Sequence, residues 1–109
     1  MSAFRFTLLL AALAVSASIA GAADGKAVFL DKKCNLCHSI DSQQIKKTSD
    51  KMKGPDLSNA GGMVESADWL KKFIKKEVQL DGEDHKREFK GTDEELDAVV
   101  QWLVTLKTS

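Results

Sequence analysis

The residues with the clearest chemical meaning are Cys34, Cys37 and His38, in the run Cys34-Asn35-Leu36-Cys37-His38. Both cysteines of the chain and one of its two histidines are in this run. On a helical turn, two thiols three positions apart reach two vinyl groups on one edge of a porphyrin. The histidine that follows falls beneath the iron. The spacing is the C-x-x-C-H signature of covalent haem c attachment. His38 would bind iron as a neutral imidazole, and its other ring nitrogen would need an acceptor to fix its orientation. Other uses of these residues fit less well. A zinc site needs four ligands, and the chain has only two cysteines and two histidines. A thioredoxin-like C-x-x-C needs a βαβ context, which the pattern lacks. A plain Cys34–Cys37 disulfide, the default in an exported protein, closes a tiny loop and does not explain His38.

The elements that must hold this motif read as helices and loops. The first helix is expected from about Gly25 to Lys33, with Asp24 as N-cap and Val28 and Phe29 supplying apolar surface. The second is expected from about Ala67 to Lys76, capped by Ser66. Trp69, Leu70, Phe73 and Ile74 share one of its faces, and Lys71, Lys72, Lys75 and Lys76 fill the other. The third opens on Thr92-Asp93-Glu94-Glu95, a capping box with Thr92 at the N-cap and Glu95 at N3. Leu96, Val99, Val100, Leu103 and Leu106 continue it as an apolar stripe. Ser39–Lys53 reads as polar and irregular, Gly54-Pro55 and Gly61-Gly62 as turns, and Leu80–Lys90 as a charged loop. Nothing reads as a sheet. Long loops around few helices are unusual in a compact domain, but they suit a chain wrapped around a large rigid ligand.

The N-terminus differs from the rest. Arg5 is the only charged residue before Asp24, Phe6–Ile19 is apolar, and Ala20-Gly21-Ala22 has the A-x-A form of a cleavage site. This layout predicts a cleaved secretory signal over residues 1–22 and one domain over 23–109. An uncleaved anchor is the alternative, but the apolar stretch is short for a membrane span of about 20 residues. The chain carries 16 basic and 16 acidic residues. Arg5 is the only one of these in the signal, so the mature part is slightly acidic. That balance gives no support for nucleic-acid binding, which needs a basic excess. No permanent membrane span is expected after cleavage.

With these pieces in place, the chain resembles a small class I c-type cytochrome over nearly its whole mature length. The matching residues run in family order. They are Gly25 and Phe29, then Cys34–His38, then Gly54-Pro55-Asp56-Leu57, then Trp69-Leu70, and finally Phe89-Lys90-Gly91-Thr92 opening the last helix. The resemblance implies an all-α cytochrome c fold of three to four helices and long loops around one covalent haem. It implies that the first and last helices cross, with Gly25 and Phe29 against Trp102. It also implies that Pro55 supplies the carbonyl that accepts the second imidazole N–H of His38.

The family's second axial ligand, a methionine two residues before the Phe-x-Gly, is replaced here by Arg87. Arginine stays protonated and is not a credible ligand. His85 stands two residues earlier, and in extended chain residues i and i+2 face the same side. It also lies 47 residues beyond His38, enough chain to return over the opposite face. Bis-histidine ligation by His38 and His85 is therefore expected, with Met63, Met52 or an open iron site as alternatives. A second imidazole leaves the potential lower than a thioether does. The expected function is one-electron transfer on the periplasmic or exported side of a bacterial membrane, by a monomer that is not an enzyme. A haem sensor or minor peroxidase with an open or labile distal site is the rival. Lys32, Lys33, Lys46, Lys47, Lys51 and Lys53 flank the motif and would steer it toward redox partner proteins with acidic docking surfaces.

Overall fold

The computed structural model describes residues 24–108. The expected signal segment, residues 1–22, lies outside the described residues. Asp24 caps helix α1 (Gly25–Asp31) by accepting from the Lys26 amide at 3.1 Å. Lys33 then turns left-handed, at φ 60°. This ends the helix two residues earlier than the sequence pattern suggests and starts a 3-10 turn at Cys34–Leu36. A second 3-10 turn covers Asp41–Gln43. Then come α2 (Ala60–Met63), α3 (Ala67–Ile74) and α4 (Asp93–Val104). Among the described residues there is no strand, only two isolated bridges, Ile40 with Ile45 and Leu80 with Glu83.

Helix α4 is the hub. Both arms of its capping box are present, with Glu95 N donating to Thr92 Oγ1 at 3.1 Å and Thr92 N to Glu95 Oε1 at 2.9 Å. Leu96, Val99, Val100 and Leu103 are buried along one side of it. Helix α1 crosses this side at Gly25, where any Cβ would strike Trp102 and the Ala98 carbonyl. Phe29, 1% exposed, meets Trp102 edge-on at 5.7 Å. Helix α3, capped by Ser66 Oγ on the Trp69 amide at 3.0 Å, is tied to α4 by Lys71–Asp97 at 2.8 Å.

Two loop readings change. Gly61-Gly62 lies within helix α2 rather than in a turn. The Gly61 amide donates to the Leu106 carbonyl at 2.8 Å, docking this helix on the chain end. The polar segment after the motif also feeds the core, because Ile40 and Ile45 are buried. A six-residue reversal, with amide–carbonyl bonds of 2.9 and 3.1 Å between them, turns both side chains inward.

Candidate functional site

Cys34 opens the 3-10 turn and Cys37 closes it. Amides of Cys37 and His38 both donate to the Cys34 carbonyl, at 3.2 and 3.1 Å, which coils the motif into one tight turn. Cys34 and Cys37 are half-buried and not disulfide-bonded. Burial pushes the Cys34 thiol up to about 11, against the opposing pull of the nearby Arg87 charge.

His38 is held from a distance. Its Nδ1 lies 2.8 Å from the Pro55 carbonyl. A carbonyl only accepts, so Nδ1 carries the hydrogen and the neutral ring keeps its lone pair on Nε2. Burial pushes the His38 pKa below its usual value, which favours that neutral form. The approach depends on Gly54, where a Cβ would fall 2.6 Å from the Cys37 carbonyl and 2.7 Å from His38 Cε1. Beside this contact, Asp56 Oδ2 accepts from Ser39 Oγ at 2.7 Å and from the Asp41 amide at 3.0 Å. Asp56 Oδ1 takes the Ser58 amide at 2.9 Å. Burial alone would raise the Asp56 pKa, but these hydrogen bonds outweigh it and hold the carboxyl well below the usual range.

His85 is held locally. Its Nδ1 lies 2.7 Å from the carbonyl of Arg87, two residues on, which again leaves Nε2 as the free lone pair. Burial lowers its pKa too. A two-residue turn brings it into place. Asp81 and Gly82 take φ values of 52° and 78°, and Leu80 and Glu83 exchange amide–carbonyl bonds of 2.9 and 3.0 Å. Asp-Gly between paired residues is a strong signal for such a reversal, and it was legible at positions 81 and 82. Phe73 on α3 meets the His85 ring edge-on at 5.4 Å, and Trp69 stacks on Phe73 at 5.3 Å.

The rings of His38 and His85 lie nearly parallel, 11° apart, with centroids separated by 6.3 Å. That spacing also admits one metal ion between the two Nε2 lone pairs, provided each lone pair lies along the line joining the ring centres. Two metal–imidazole bonds of about 2.0 Å, plus about 1.1 Å from each nitrogen to its ring centre, would span about 6.2 Å. A haem would be attached at Cys34 and Cys37, and its iron would take the Nε2 lone pairs of His38 and His85. Of the alternative ligands, Met63 is 46% exposed. Met52 is half-buried, in a segment pinned by Lys47 Nζ on its carbonyl at 3.0 Å.

A family model for cytochrome c matches residues 22–107. The chain belongs to the cytochrome c family. Neither the curated proteins nor the solved structures contain a match to it. The resemblance to class I c-type cytochromes and the all-α cytochrome c fold are thereby established. Membership implies covalent haem c and haem-based electron transfer with redox partners. Among the described residues, no helix is long and apolar enough to cross a membrane. Sequence reasoning named Cys34, Cys37, His38, Pro55 and His85 as candidates, and the structure puts the Pro55 carbonyl on His38 Nδ1 and the His85 ring parallel to that of His38. Sequence reasoning missed the Asp56 hydrogen bonds and the Phe73 contact with His85.

Proposed function

We propose that this chain is a periplasmic one-electron carrier with a single haem c, covalently attached through Cys34 and Cys37 and ligated by His38 and His85. The observation that carries this reading is the 6.3 Å separation of two nearly parallel imidazoles, each with Nδ1 committed to a carbonyl. When bound, haem c supplies a reversible one-electron iron couple. The chain's own residues do the rest. Pro55 and Arg87 carbonyls fix both ring tautomers, and Phe73 and Trp69 shield the His85 side. Two neutral imidazoles place the potential below that of a His/Met cytochrome. Residues 1–22 act as the cleaved export signal, a reading supported by the basic start at Arg5, the apolar centre and the Ala20-Gly21-Ala22 end.

Two of the six flanking lysines are engaged within the chain, Lys32 with Glu95 at 3.5 Å and Lys47 with Met52. Lys33, Lys46, Lys51 and Lys53 remain exposed and would supply the cationic docking surface for an acidic redox partner.

Low-temperature EPR and near-infrared spectra of the oxidised holoprotein test the ligand set. Bis-imidazole signals that disappear in His85→Ala are expected. A methionine–iron charge-transfer band would overturn the assignment, as would unchanged ligation in that variant. The local hold on His85 also favours a second reading, a haem sensor or minor peroxidase with a labile distal ligand. Stoichiometric carbon monoxide binding to the reduced wild-type protein would select it.

A further inference from the structure

The hydrogen bond between His38 and Pro55 joins segments 17 residues apart. One side chain sits across that junction. Asp56 directly follows Pro55, and Ser39 directly follows His38. Asp56 Oδ2 accepts from Ser39 Oγ at 2.7 Å and from the Asp41 amide at 3.0 Å. Its other oxygen takes the Ser58 amide at 2.9 Å. Two further bonds run parallel to these: the Leu57 amide to the Ser39 carbonyl and the Ser42 amide to Ser58 Oγ, both at 2.9 Å. The carboxylate thus gathers donors from both sides of the junction, which ends at the ring of His38.

We propose that Asp56 is a positioning residue for the His38 imidazole. By clamping the two segments together, it sets the length of the hydrogen bond from Nδ1 to Pro55, and through that bond the electron donation of Nε2 to iron. This rests on His38 being the proximal ligand. A shorter bond makes the imidazole more basic, which stabilises the oxidised iron and lowers the potential. The negative charge of Asp56 acts in the same direction through space. The two contributions separate by mutation. Ser39→Ala loosens the clamp and keeps the charge. Asp56→Asn removes the charge and keeps part of the clamp. Asp56→Ala removes both.

The experiment uses the haem-loaded mature protein. Its readouts are the midpoint potential and solvent exchange of the His38 Nδ1 proton, followed by NMR. Leu106→Ala, in the core, serves as a stability control. Clamping predicts a potential that rises in all three variants, most in Asp56→Ala. It predicts faster Nδ1 proton exchange in Ser39→Ala and Asp56→Ala, and neither change in Leu106→Ala. The proposal is overturned if Ser39→Ala keeps the wild-type potential and exchange rate, because Asp56 then acts by charge alone. It is equally overturned if Leu106→Ala reproduces both changes, because the effect is then general loosening. A wild-type protein whose spectra show no histidine-ligated haem would instead remove the reading on which the proposal rests, and the proposal with it.

Discussion

The two histidines have matching chemistry and unequal support. His38 follows a helical turn, takes its acceptor from Pro55, 17 residues away, and stands beside a carboxylate with three hydrogen-bond donors. His85 takes its acceptor from Arg87, two residues away, in an exposed loop closed by the Asp81-Gly82 turn. Phe73 on helix α3 meets its ring edge-on. The His38 side is therefore built into the fold, and its hydrogen bonds break only when long-range structure breaks. The His85 side is a local unit, and such units open at lower free energy than the core. One imidazole is thus held by the fold and the other by a local turn.

The largest effect is expected at Gly54. Gly54→Val places side-chain atoms into the Cys37 carbonyl and the His38 ring. The loss should be on the order of 3 kcal/mol or more, at the upper end for single substitutions. Denaturant unfolding followed by far-UV circular dichroism measures it, and a wild-type midpoint would show that the close approach is unimportant.

The second test asks whether the two sides come apart separately. On titration with guanidinium, the His85 ligation signal in the Soret region should be lost before helical circular dichroism. Coincident transitions would break the comparison, because they would make the His85 loop part of the cooperative core.

The third concerns acid. The Asp56 pKa is depressed in the folded protein. Its contribution is therefore complete above the unfolded value of about 3.9 and fades as pH falls below it. Asp56→Asn should cost about 1–2 kcal/mol at pH 7, in line with lost hydrogen bonds to a charged group, and less at pH 3. Urea midpoints at the two pH values decide this, and an equal cost at both would contradict the assignment.

The smallest effect belongs to the His85 loop. Gly82 has φ 78° and open space around its Cα. Gly82→Ala therefore meets only backbone strain, about 1 kcal/mol. It should advance loss of the His85 signal and leave the global midpoint nearly unchanged. A matching shift in both would show that the loop and core are coupled.

Much of the fold was legible because its signals are local. The capping box at Thr92 and Glu95 and the stripe from Leu96 to Leu103 are properties of consecutive helical residues, and helix α4 appears where they place it. The Gly25, Phe29 and Trp102 crossing came from family resemblance rather than periodicity, and the structure has it. Ile40 and Ile45 were not legible as core, since two apolar residues in a polar stretch show no period. Their burial depends on a reversal that only long-range packing makes worthwhile. The Asp81-Gly82 turn was readable from its residue types alone. The charges around it read only as loop.

By itself, the sequence determined the attachment motif and its cofactor class. Cys34, Cys37 and His38 lie within one turn, so their relative placement needs no other part of the chain. It also determined that no methionine stands at the usual ligand place, because Arg87 occupies it. Only the tertiary structure decided that the ring of His85 stands 6.3 Å from that of His38. It alone brought Asp56 across to Ser39 and Asp41. These contacts join segments separated by many residues. They depend on the course of intervening loops and on clearances such as that at Gly54, which no local periodicity encodes.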